Sequence, residues 1–547
     1  MSVYTIKGNI IDIKRKVISV GELTVQHGII LSIEIIEERA IEPSLPYICP
    51  GFIDAHVHIE SSMLIPSEFA RIAVVHGTVA TVSDPHEIAN VCGMKGVRFM
   101  IENGKQVPFK FNFGAPSCVP ATFFETAGAI LNPSDVKVLL IEEDIRYLSE
   151  MMNFPGAISG DDEVLEKIDA ALALGKPVDG HAPGLRGELL KKYVGRGIST
   201  DHECFTIEEA REKLDCGMKI IIREGSAAKN FNELIPLIEM HADHIMFCSD
   251  DKHPDSLVLG HINSLCSRAV KKGYDLFSIL QAACINPILH YDLTVGMLRV
   301  GDPADFILIS DLKEFDVLAT YVNGIKVSSE NQSLIERHVL TDEPINHFLC
   351  REVTQQELLF EGVEGYPYPV IECLDGQLMT LKSTLLPTMR DDFFESDMTS
   401  DVLKIVVVNR YHPASIAKAF IHGFGLKHGA IASSVAHDSH NIIAVGVDDK
   451  SIMKSINLII AQKGGISCVA GDVENVLSLN VAGLMSDGDG YEVAKKYTEL
   501  DAMAKQLGCS LSAPFMSLSF MALLVIPHVK LSDKGLFDGD QFKLYPS

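Results

Sequence analysis

Residues 50–61 read PGFIDAHVHIES, in which a short apolar run ends in two histidines separated by one valine. Successive side chains of a strand point to opposite faces, so His56 and His58 point to the same face. Two imidazole nitrogens that reach one point form a metal-ligand pair. Two hydrogen-bonded structural histidines at a strand end would give the same pattern, so this segment alone leaves both interpretations open.

Around this segment, residues 49–292 alternate short apolar segments with helical ones. Eight segments predict strands, namely GFIDAHV, GTVATVSD, FKFNFGA, GAISG, KPVDGHA, GISTDHE, KIIIREG and HIMFCSD. Segments such as PSEFARIAVVH and DEVLEKIDAALALG lie between several of them and predict helices. Eight strands alternating with helices over about 240 residues are typical of a (β/α)8 barrel. An open doubly wound sheet has a similar rhythm, so the barrel is favoured over that alternative.

Both flanks of the barrel region are rich in short strands. Residues 1–48 include KVISVGELTVQ, and residues 293–340 include LTVGMLRVGDPADFILIS and the hairpin signal Asn323-Gly324. We expect the two flanks to pair into one small composite β-sandwich domain. Residues 341–547 predict a separate C-terminal α/β domain. Its predicted strands are VLKIVVVNRY, GAIASSVA, HNIIAVGV and GGISCVAGD, and its predicted helices are SIMKSINLIIAQ and GYEVAKKYTELDAMAKQLG.

The composition favours a globular protein that binds a small molecule or a metal ion. Of the 547 residues, 47% are hydrophobic and 22% are charged, and the formal net charge is −26. This charge opposes nucleic acid and anionic membranes as partners. The 12 cysteines include no C-x-x-C pair, which favours reduced thiols. With no signal-peptide pattern at the N-terminus, we expect a cytoplasmic protein, and its size suggests a homo-oligomer, a dimer or higher.

Four of the predicted strands end in residues that bind metals. His56 and His58 end the first, His181 and His202 end KPVDGHA and GISTDHE, and Asp250 ends HIMFCSD. In a barrel the chemistry lies at the carboxyl ends of the strands, where residues from separate strands meet. Four histidines and one aspartate could hold two divalent ions if an anionic group bridges them. The spacing leaves five candidates for the bridge: Glu150, Asp161, Asp162, and a carbamate on Lys137 or Lys176.

The same residues resemble the amidohydrolase superfamily and, within it, the adenine deaminase family. The resemblance is carried in the barrel by GFIDAHVHIESSM, VSDPHEIANV, EMMNFPG, DGHAPGL, DHECFT, IREGSAA and FCSDDKHP. Beyond the barrel it is carried by VVNRYH, GFGLKHGAIASSVAHDSHNI and PFMSLSFMAL, so it covers nearly the whole chain. It implies a barrel, a composite β domain, a dedicated C-terminal domain and a binuclear Mn or Fe centre. The family's ligand positions match His56, His58, His181, His202 and Asp250, with Glu150 as the bridge.

The resemblance also implies a reaction, the hydrolytic deamination of adenine to hypoxanthine and ammonia. Two divalent ions lower the pKa of water from about 15.7 toward neutrality and so supply a hydroxide that adds to C6. Mn2+ is favoured, although the mixed nitrogen and oxygen ligands also suit Fe2+ or Zn2+. We expect Asp250 to shuttle the proton, with Glu203, Glu224 and Asp251 as competing acids.

Loop residues after the strands are candidates for contact with the purine base. The candidates are Asp84, His86, Glu87, Ser226 and Asp251. A strand-to-helix turn capped by Asp84 would explain the SDPHE segment equally well. The C-terminal segment His437-Asp438-Ser439-His440 could be catalytic or metal-binding, although a polar loop after a glycine-rich strand explains it too.

Other functions remain open at this point. A cyclic-amide hydrolase of the dihydroorotase or hydantoinase kind shares the ligand scaffold, but it would use a lysine carbamate on the fourth strand. A non-catalytic scaffold protein of the superfamily would usually lack some of the ligands that this chain retains. The zinc deaminases with H-x-E followed by P-C-x-x-C are excluded, because the chain has no C-x-x-C.

Overall fold

The computed structural model of the protein describes residues 3–142, 144–363 and 365–546. The chain begins with β1 (Tyr4–Asp12), β2 (Val17–Gln26), β3 (Ile29–Glu37) and β4 (Tyr47–Pro50). The first three form an antiparallel meander, and β4 lies parallel to β1 with Ile10 opposite Ile48. Residues such as Leu23 and Val25 alternate with more exposed neighbours, as expected for strands with one buried face.

Eight parallel strands follow, and they form the predicted barrel. They are β5 (Phe52–Val57), β6 (Thr78–Ser83), β7 (Lys110–Ala115), β8 (Ile145–Met151), β9 (Val178–Gly180), β10 (Thr200–Asp201), β11 (Lys219–Arg223) and β12 (Ile245–Cys248). Strands β5 to β9 pair in sequence, and so do β10 to β12. Single bridges between Val178 and Ile198 and between Val57 and Asp250 join the two groups. The eight strands therefore close into a ring, which confirms the barrel over the open sheet.

Helices lie between the barrel strands and after the last one. They are α1 (Pro66–Ala73), α2 (His86–Cys92), α3 (Met94–Gly104), α4 (Pro133–Ile141), α5 (Phe154–Ser159), α6 (Asp162–Ala173), α7 (Gly187–Val194), α8 (Ile207–Asp215), α9 (Phe231–Leu234), α10 (Ile238–His241), α11 (Pro254–Leu259), α12 (Ile262–Lys271), α13 (Leu276–Leu280) and α14 (Asn286–Tyr291). Within the described residues, no helix of the protein combines the length and the apolar character needed to cross a membrane.

The fourth barrel strand is not where the sequence predicts it. The segment GAISG, residues 156–160, mostly lies in α5, and the strand is β8, which precedes it. The prediction is wrong because two helix-start signals outweigh the strand-like composition of this segment. Pro155 lies in the first turn, and the Asn153 side chain accepts a hydrogen bond from the Gly156 N–H at 3.0 Å. Glu150 consequently lies near the carboxyl end of a barrel strand rather than in a loop before one.

The chain returns to the first sheet after the barrel. The returning strands are β13 (Phe306–Ile309), β14 (Val317–Val322), β15 (Ile325–Ser329) and β16 (Gln332–Ser333). Strand β13 pairs antiparallel with β4, placing Phe306 opposite Pro50. The result is an eight-stranded sheet in the order β16-β15-β14-β13-β4-β1-β2-β3, so both flanks contribute to it. The Asn323-Gly324 hairpin turn forms between β14 and β15.

The C-terminal region is rich in antiparallel sheet. Its strands are β17 (Tyr368–Cys373), β18 (Thr380–Leu385), β19 (Thr388–Arg390), β20 (Phe393–Glu395), β21 (Val402–Val408), β22 (Ala417–His422), β23 (Ala430–Ser433), β24 (Ile442–Gly446), β25 (Gly465–Ala470), β26 (Val473–Ser478), β27 (Val529–Ser532), β28 (Gly535–Asp538) and β29 (Lys543–Leu544). Its helices are α15 (Asp449–Gln462), α16 (Gly490–Gln506) and α17 (Pro514–Phe520). The four strands and two helices predicted there are confirmed.

This region packs against the rim of the barrel. Helix α16 contacts α11 and α1, and Arg71 of α1 forms an ion pair with Asp489 at 2.9 Å. His253 follows the last barrel strand, and its Nδ1 is 2.5 Å from the hydroxyl of Tyr497 in α16. Both rings are buried. The C-terminal region therefore covers the end of the barrel at which the predicted site lies.

Candidate metal centre and substrate pocket

The two histidines of the opening segment meet at the carboxyl end of β5. The Nε2 atoms of His56 and His58 are 3.1 Å apart, and both side chains are buried. The ring of His56 stacks on that of His202, with centroids 4.1 Å apart. The backbone fixes this end of the strand, because the Asp250 N–H donates to the His56 carbonyl at 3.0 Å. The alternation of strand side chains thus brings both imidazoles to one point.

Glu150 lies among three of the histidines. Its Oε2 is 2.8 Å from Nδ1 of His181 and 3.1 Å from Nε2 of His202, and its Oε1 is 3.4 Å from Nε2 of His58. Side chains at the ends of three barrel strands therefore converge on one carboxylate from a fourth.

The other candidates for a bridging group lie elsewhere. Lys176 donates to the backbone carbonyl of Leu140 at 2.6 Å, and Asp161 caps α6 by accepting from the Val164 N–H at 3.1 Å. Asp162 and Lys137 are exposed. Of the five candidates, only Glu150 reaches the histidines.

Asp250 and Glu203 are held together by Arg223, a residue that sequence reasoning missed. Its guanidinium donates to Oδ2 of Asp250 at 2.6 Å and to Oε2 of Glu203 at 2.9 Å. Burial alone would raise the pKa of Asp250, but Arg223 and the nearby imidazoles outweigh burial and hold that pKa well below its usual range. Arginine with its planar fork suits two carboxylates at once. The sequence does indicate this residue, because the apolar strand KIIIR ends in an arginine. A charge that is buried at a strand end needs a partner of opposite charge.

The pocket carries an excess of negative charge. Six carboxylates line it together with the guanidinium of Arg223 and five imidazoles. Burial alone would lower the pKa of His202, but Glu150 raises it to about 9. Burial and His86 would lower the pKa of His58, but Asp251, Glu150 and Asp250 outweigh them and raise it to about 10. An environment that favours positive charge on buried imidazoles is one that a cation would occupy favourably.

The donor atoms are close enough to hold metal ions. Three overlapping groups have donor atoms that lie within 4.8 Å of one another. They are His56, His58 and Asp250; His56, Glu150 and His202; and His58, Asp84, His86 and Glu150. Imidazole nitrogens and carboxylate oxygens suit Mn, Fe and Zn. The residues present therefore fit a divalent metal centre, with Glu150 shared by two of the groups.

The loop after β6 forms the turn expected from the sequence, and two of its side chains also line the pocket. The Asp84 carboxylate accepts from the His86 N–H at 3.1 Å, which is the expected turn, and its other oxygen is 3.1 Å from Nδ1 of the His86 ring. The same Nδ1 is 3.5 Å from Glu150. The Asp84 carbonyl is 3.2 Å from Nδ1 of His58 and so orients that ring. Asp84 thus orients the rings of His58 and His86, whereas the side chains of His86 and Glu87 line the pocket.

The opposite wall of the pocket comes from the C-terminal region. His437, Asp438, Leu378 and Leu523 all line it. The Glu87 carboxylate accepts hydrogen bonds from Nδ1 of His437 and Nε2 of His440. The structure thus places the segment 437–440, which the sequence left open, against the barrel loop.

Of the remaining predicted residues, Asp251 lies at the pocket and two others do not. The Ser61 hydroxyl donates to Asp251 at 2.5 Å. Glu224 instead forms an ion pair with Arg268 at 2.7 Å. The Ser226 hydroxyl lies 2.9 Å from that of Ser256 and accepts from the His253 N–H at 2.9 Å. Neither Glu224 nor Ser226 lines the pocket.

Comparison with known proteins agrees with this architecture. Residues 47–327 match the profile of the Amidohydrolase family, and residues 377–543 match the Adenine deaminase C-terminal domain. The fold is thus that of an amidohydrolase.

Relatives that match nearly the whole chain identify the family within this class. A protein named adenine deaminase from Sulfurovum sp. is 55% identical over 99% of both chains. Another from Salinibacter ruber is 53% identical over 99% of this chain and 98% of its own. A third from Methanosarcina mazei is 49% identical over 96% and 95%. The chain belongs to the adenine deaminase family and is an enzyme of the hydrolase class.

Proposed function

We propose that the chain hydrolyses adenine to hypoxanthine and ammonia in a reaction that depends on divalent metal ions. The observation that carries this proposal is the convergence of four histidines, Glu150 and Asp250 at the carboxyl end of the barrel. The similarity to proteins named adenine deaminase over nearly the whole chain supports the choice of substrate.

Six residues would hold a binuclear centre, with Mn2+ favoured and Fe2+ or Zn2+ as alternatives. They are His56, His58, Glu150, His181, His202 and Asp250. When bound, such ions supply a hydroxide at neutral pH and stabilise negative charge that develops on the substrate. Glu150 would be the ligand that the two ions share, because its two oxygens face different histidines.

Asp250 moves the proton in this proposal. Its Oδ2 is held by Arg223, which leaves Oδ1, 3.5 Å from Nε2 of His58, directed at the cluster. A carboxylate at this position can accept a proton and pass it to the departing amino group. Glu203 is engaged at both oxygens by the same guanidinium and therefore positions Arg223. Asp251 remains the second acid at the pocket.

The substrate is a neutral purine base, which suits a pocket lined with carboxylates better than a phosphorylated nucleotide would. Nucleic acid and membranes are not partners in this proposal. We place the reaction in the cytoplasm, since all 12 cysteines are free thiols. A homo-oligomer is the expected form.

Ammonia release tests the reaction directly. Metal-free protein is reloaded with Mn(II) and offered adenine, adenosine, cytosine and a cyclic imide. Adenine should release ammonia, and the cyclic imide should remain intact, because the fourth strand carries Glu150 where a hydantoinase would use a lysine carbamate. No ammonia from adenine at any metal loading would refute the proposal. Retained metal stoichiometry in the double variant His56→Ala, His58→Ala would refute the ligand assignment.

A further inference from the structure

Two polar atoms on the C-terminal wall of the pocket have no hydrogen-bond partner among the residues that the structure describes. They are Nε2 of His437 and Oδ2 of Asp438. Both residues line the pocket and are only 2% and 3% exposed. Leaving a buried polar atom without a hydrogen bond costs about 1–3 kcal/mol. Such atoms in a pocket are therefore expected to bind a ligand.

The segment that carries these atoms is held rigidly. His440 accepts the Ala436 N–H at Nδ1 over 3.2 Å, so its Nε2 carries the proton donated to Glu87. The Tyr411 hydroxyl donates to the Ser439 carbonyl at 2.6 Å. The segment is thus tied to the barrel on one side and to its own domain on the other. Its free atoms are preorganised, which lowers the entropic cost of binding.

The surroundings of Asp438 suit an aromatic base. Leu378 and Leu523 from the same domain and Met152 from the barrel line the pocket with apolar surface. Oδ1 of Asp438 is 3.7 Å from Nε2 of His86, which occupies one side of the carboxylate. Nδ1 of the same imidazole is 3.5 Å from Glu150, so the His86 ring lies between Asp438 and Glu150.

We infer that Asp438 selects the free base, its Oδ2 accepting the N–H of the imidazole half of the purine. This inference rests on the proposed function, which places C6 of the base at the cluster of Glu150 and Asp250. The edge remote from C6 then faces the C-terminal wall, and its N9–H is the donor available to Asp438. A nucleoside carries its sugar at N9, so it lacks this donor. Its sugar would also collide with the C-terminal wall of the pocket. The C-terminal domain would thereby exclude nucleosides.

Binding measurements test the inference without turnover. The Mn-loaded full chain is titrated by calorimetry with purine, which has an N–H but no 6-amino group, and with 9-methylpurine. Loss of a hydrogen bond to a buried charged acceptor corresponds to an affinity change of about 10- to 100-fold. We therefore expect Asp438→Ala to weaken purine binding by that factor and 9-methylpurine binding by less than about twofold. Asp438→Asn, which keeps the shape of the side chain, should weaken purine selectively as well.

Ser439→Ala is the matched control, because Ser439 is equally buried in the same segment but does not line the pocket. It should leave both affinities unchanged. Equal weakening of both ligands by Asp438→Asn, or no weakening, would overturn the inference, as would the absence of purine binding by the unsubstituted chain. If that chain binds purine with this selectivity but releases no ammonia from adenine, only the proposed reaction fails. If it deaminates adenine and Asp438→Asn is without selective effect, only this inference fails.

Discussion

Glu87, at the start of α2 in the barrel, accepts a hydrogen bond from Nδ1 of His437, which lies 350 residues further along the chain. Both side chains are buried, and the second oxygen of Glu87 binds His440 of the same segment. Burial alone would raise the pKa of Glu87, but His437, His86 and His440 outweigh it and keep the carboxylate ionised. One carboxylate of the barrel therefore joins the C-terminal domain to the barrel at the pocket. The wall that this domain contributes to the pocket depends on this contact.

The first prediction concerns this contact. Glu87→Gln should lower the free energy of unfolding by roughly 3 kcal/mol, because breaking a buried pair leaves a charged imidazole without its partner. It should also raise KM for adenine, since His437 and Asp438 lose their anchor. Thermal unfolding and steady-state kinetics measure the two effects. Glu212→Gln removes a half-exposed carboxylate that pairs with Arg186 far from the pocket and should change neither. Equal behaviour of the two variants would contradict the anchoring role.

The second prediction concerns Arg223. Arg223→Lys should lower kcat/KM by about 100-fold, the loss expected from a small misplacement of a catalytic group. A lysine has a point charge and cannot hold Glu203 and Asp250 in one plane. The metal content should stay constant, as measured by elemental analysis. Arg268→Lys changes an arginine that pairs with Glu224 outside the pocket and should retain full activity. A loss of activity in Arg223→Lys that merely follows a loss of metal would rule out the positioning role.

The third prediction separates Glu150 from the other candidates for the bridge. The intact centre should hold roughly two ions per chain, as in two-metal sites. Glu150→Gln should reduce this to one or fewer, because an amide supplies no negative charge between the ions. Asp161→Asn tests an alternative from the same part of the chain and should retain the full metal content, since Asp161 only caps α6. Equal metal content in both variants would show that Glu150 is not a metal ligand.

The sequence predicts those parts of the site that depend on local geometry. The alternation of strand side chains is enough to place His56 and His58 at one point, and the barrel rhythm is enough to place His181, His202 and Asp250 near them. It fails where the outcome depends on distant contacts. Glu224 directly follows Arg223 at the end of β11, yet it lies outside the pocket because it pairs with Arg268 of α12.

Two further differences have separate physical origins, one local and one distant. The misassigned fourth strand shows that glycine and isoleucine in GAISG do not outweigh the helix-start signals of Asn153 and Pro155. His437 and Asp438 reach the pocket only because the C-terminal domain packs against the barrel. The periodic pattern of a sequence segment does not indicate how two domains pack. Their polarity alone was compatible with an ordinary surface loop.

The fourth prediction concerns the stability of the protein as a function of pH. Glu125 is buried near Asp438 and Asp533, and burial, reinforced by these carboxylates, raises its pKa from 4.5 to about 8. The folded state thus keeps a proton that the unfolded chain releases, so stability is full below pH 4.5 and declines until about pH 8, by up to about 5 kcal/mol. Glu125→Gln mimics the protonated form and should flatten this decline, so that the variant is more stable than the unsubstituted chain at pH 8 but not at pH 4.5. Thermal unfolding across this range measures the effect, with the exposed Glu188→Gln as a control that keeps the original slope. Parallel curves for the Glu125→Gln variant and the unsubstituted chain would show that Glu125 ionises normally.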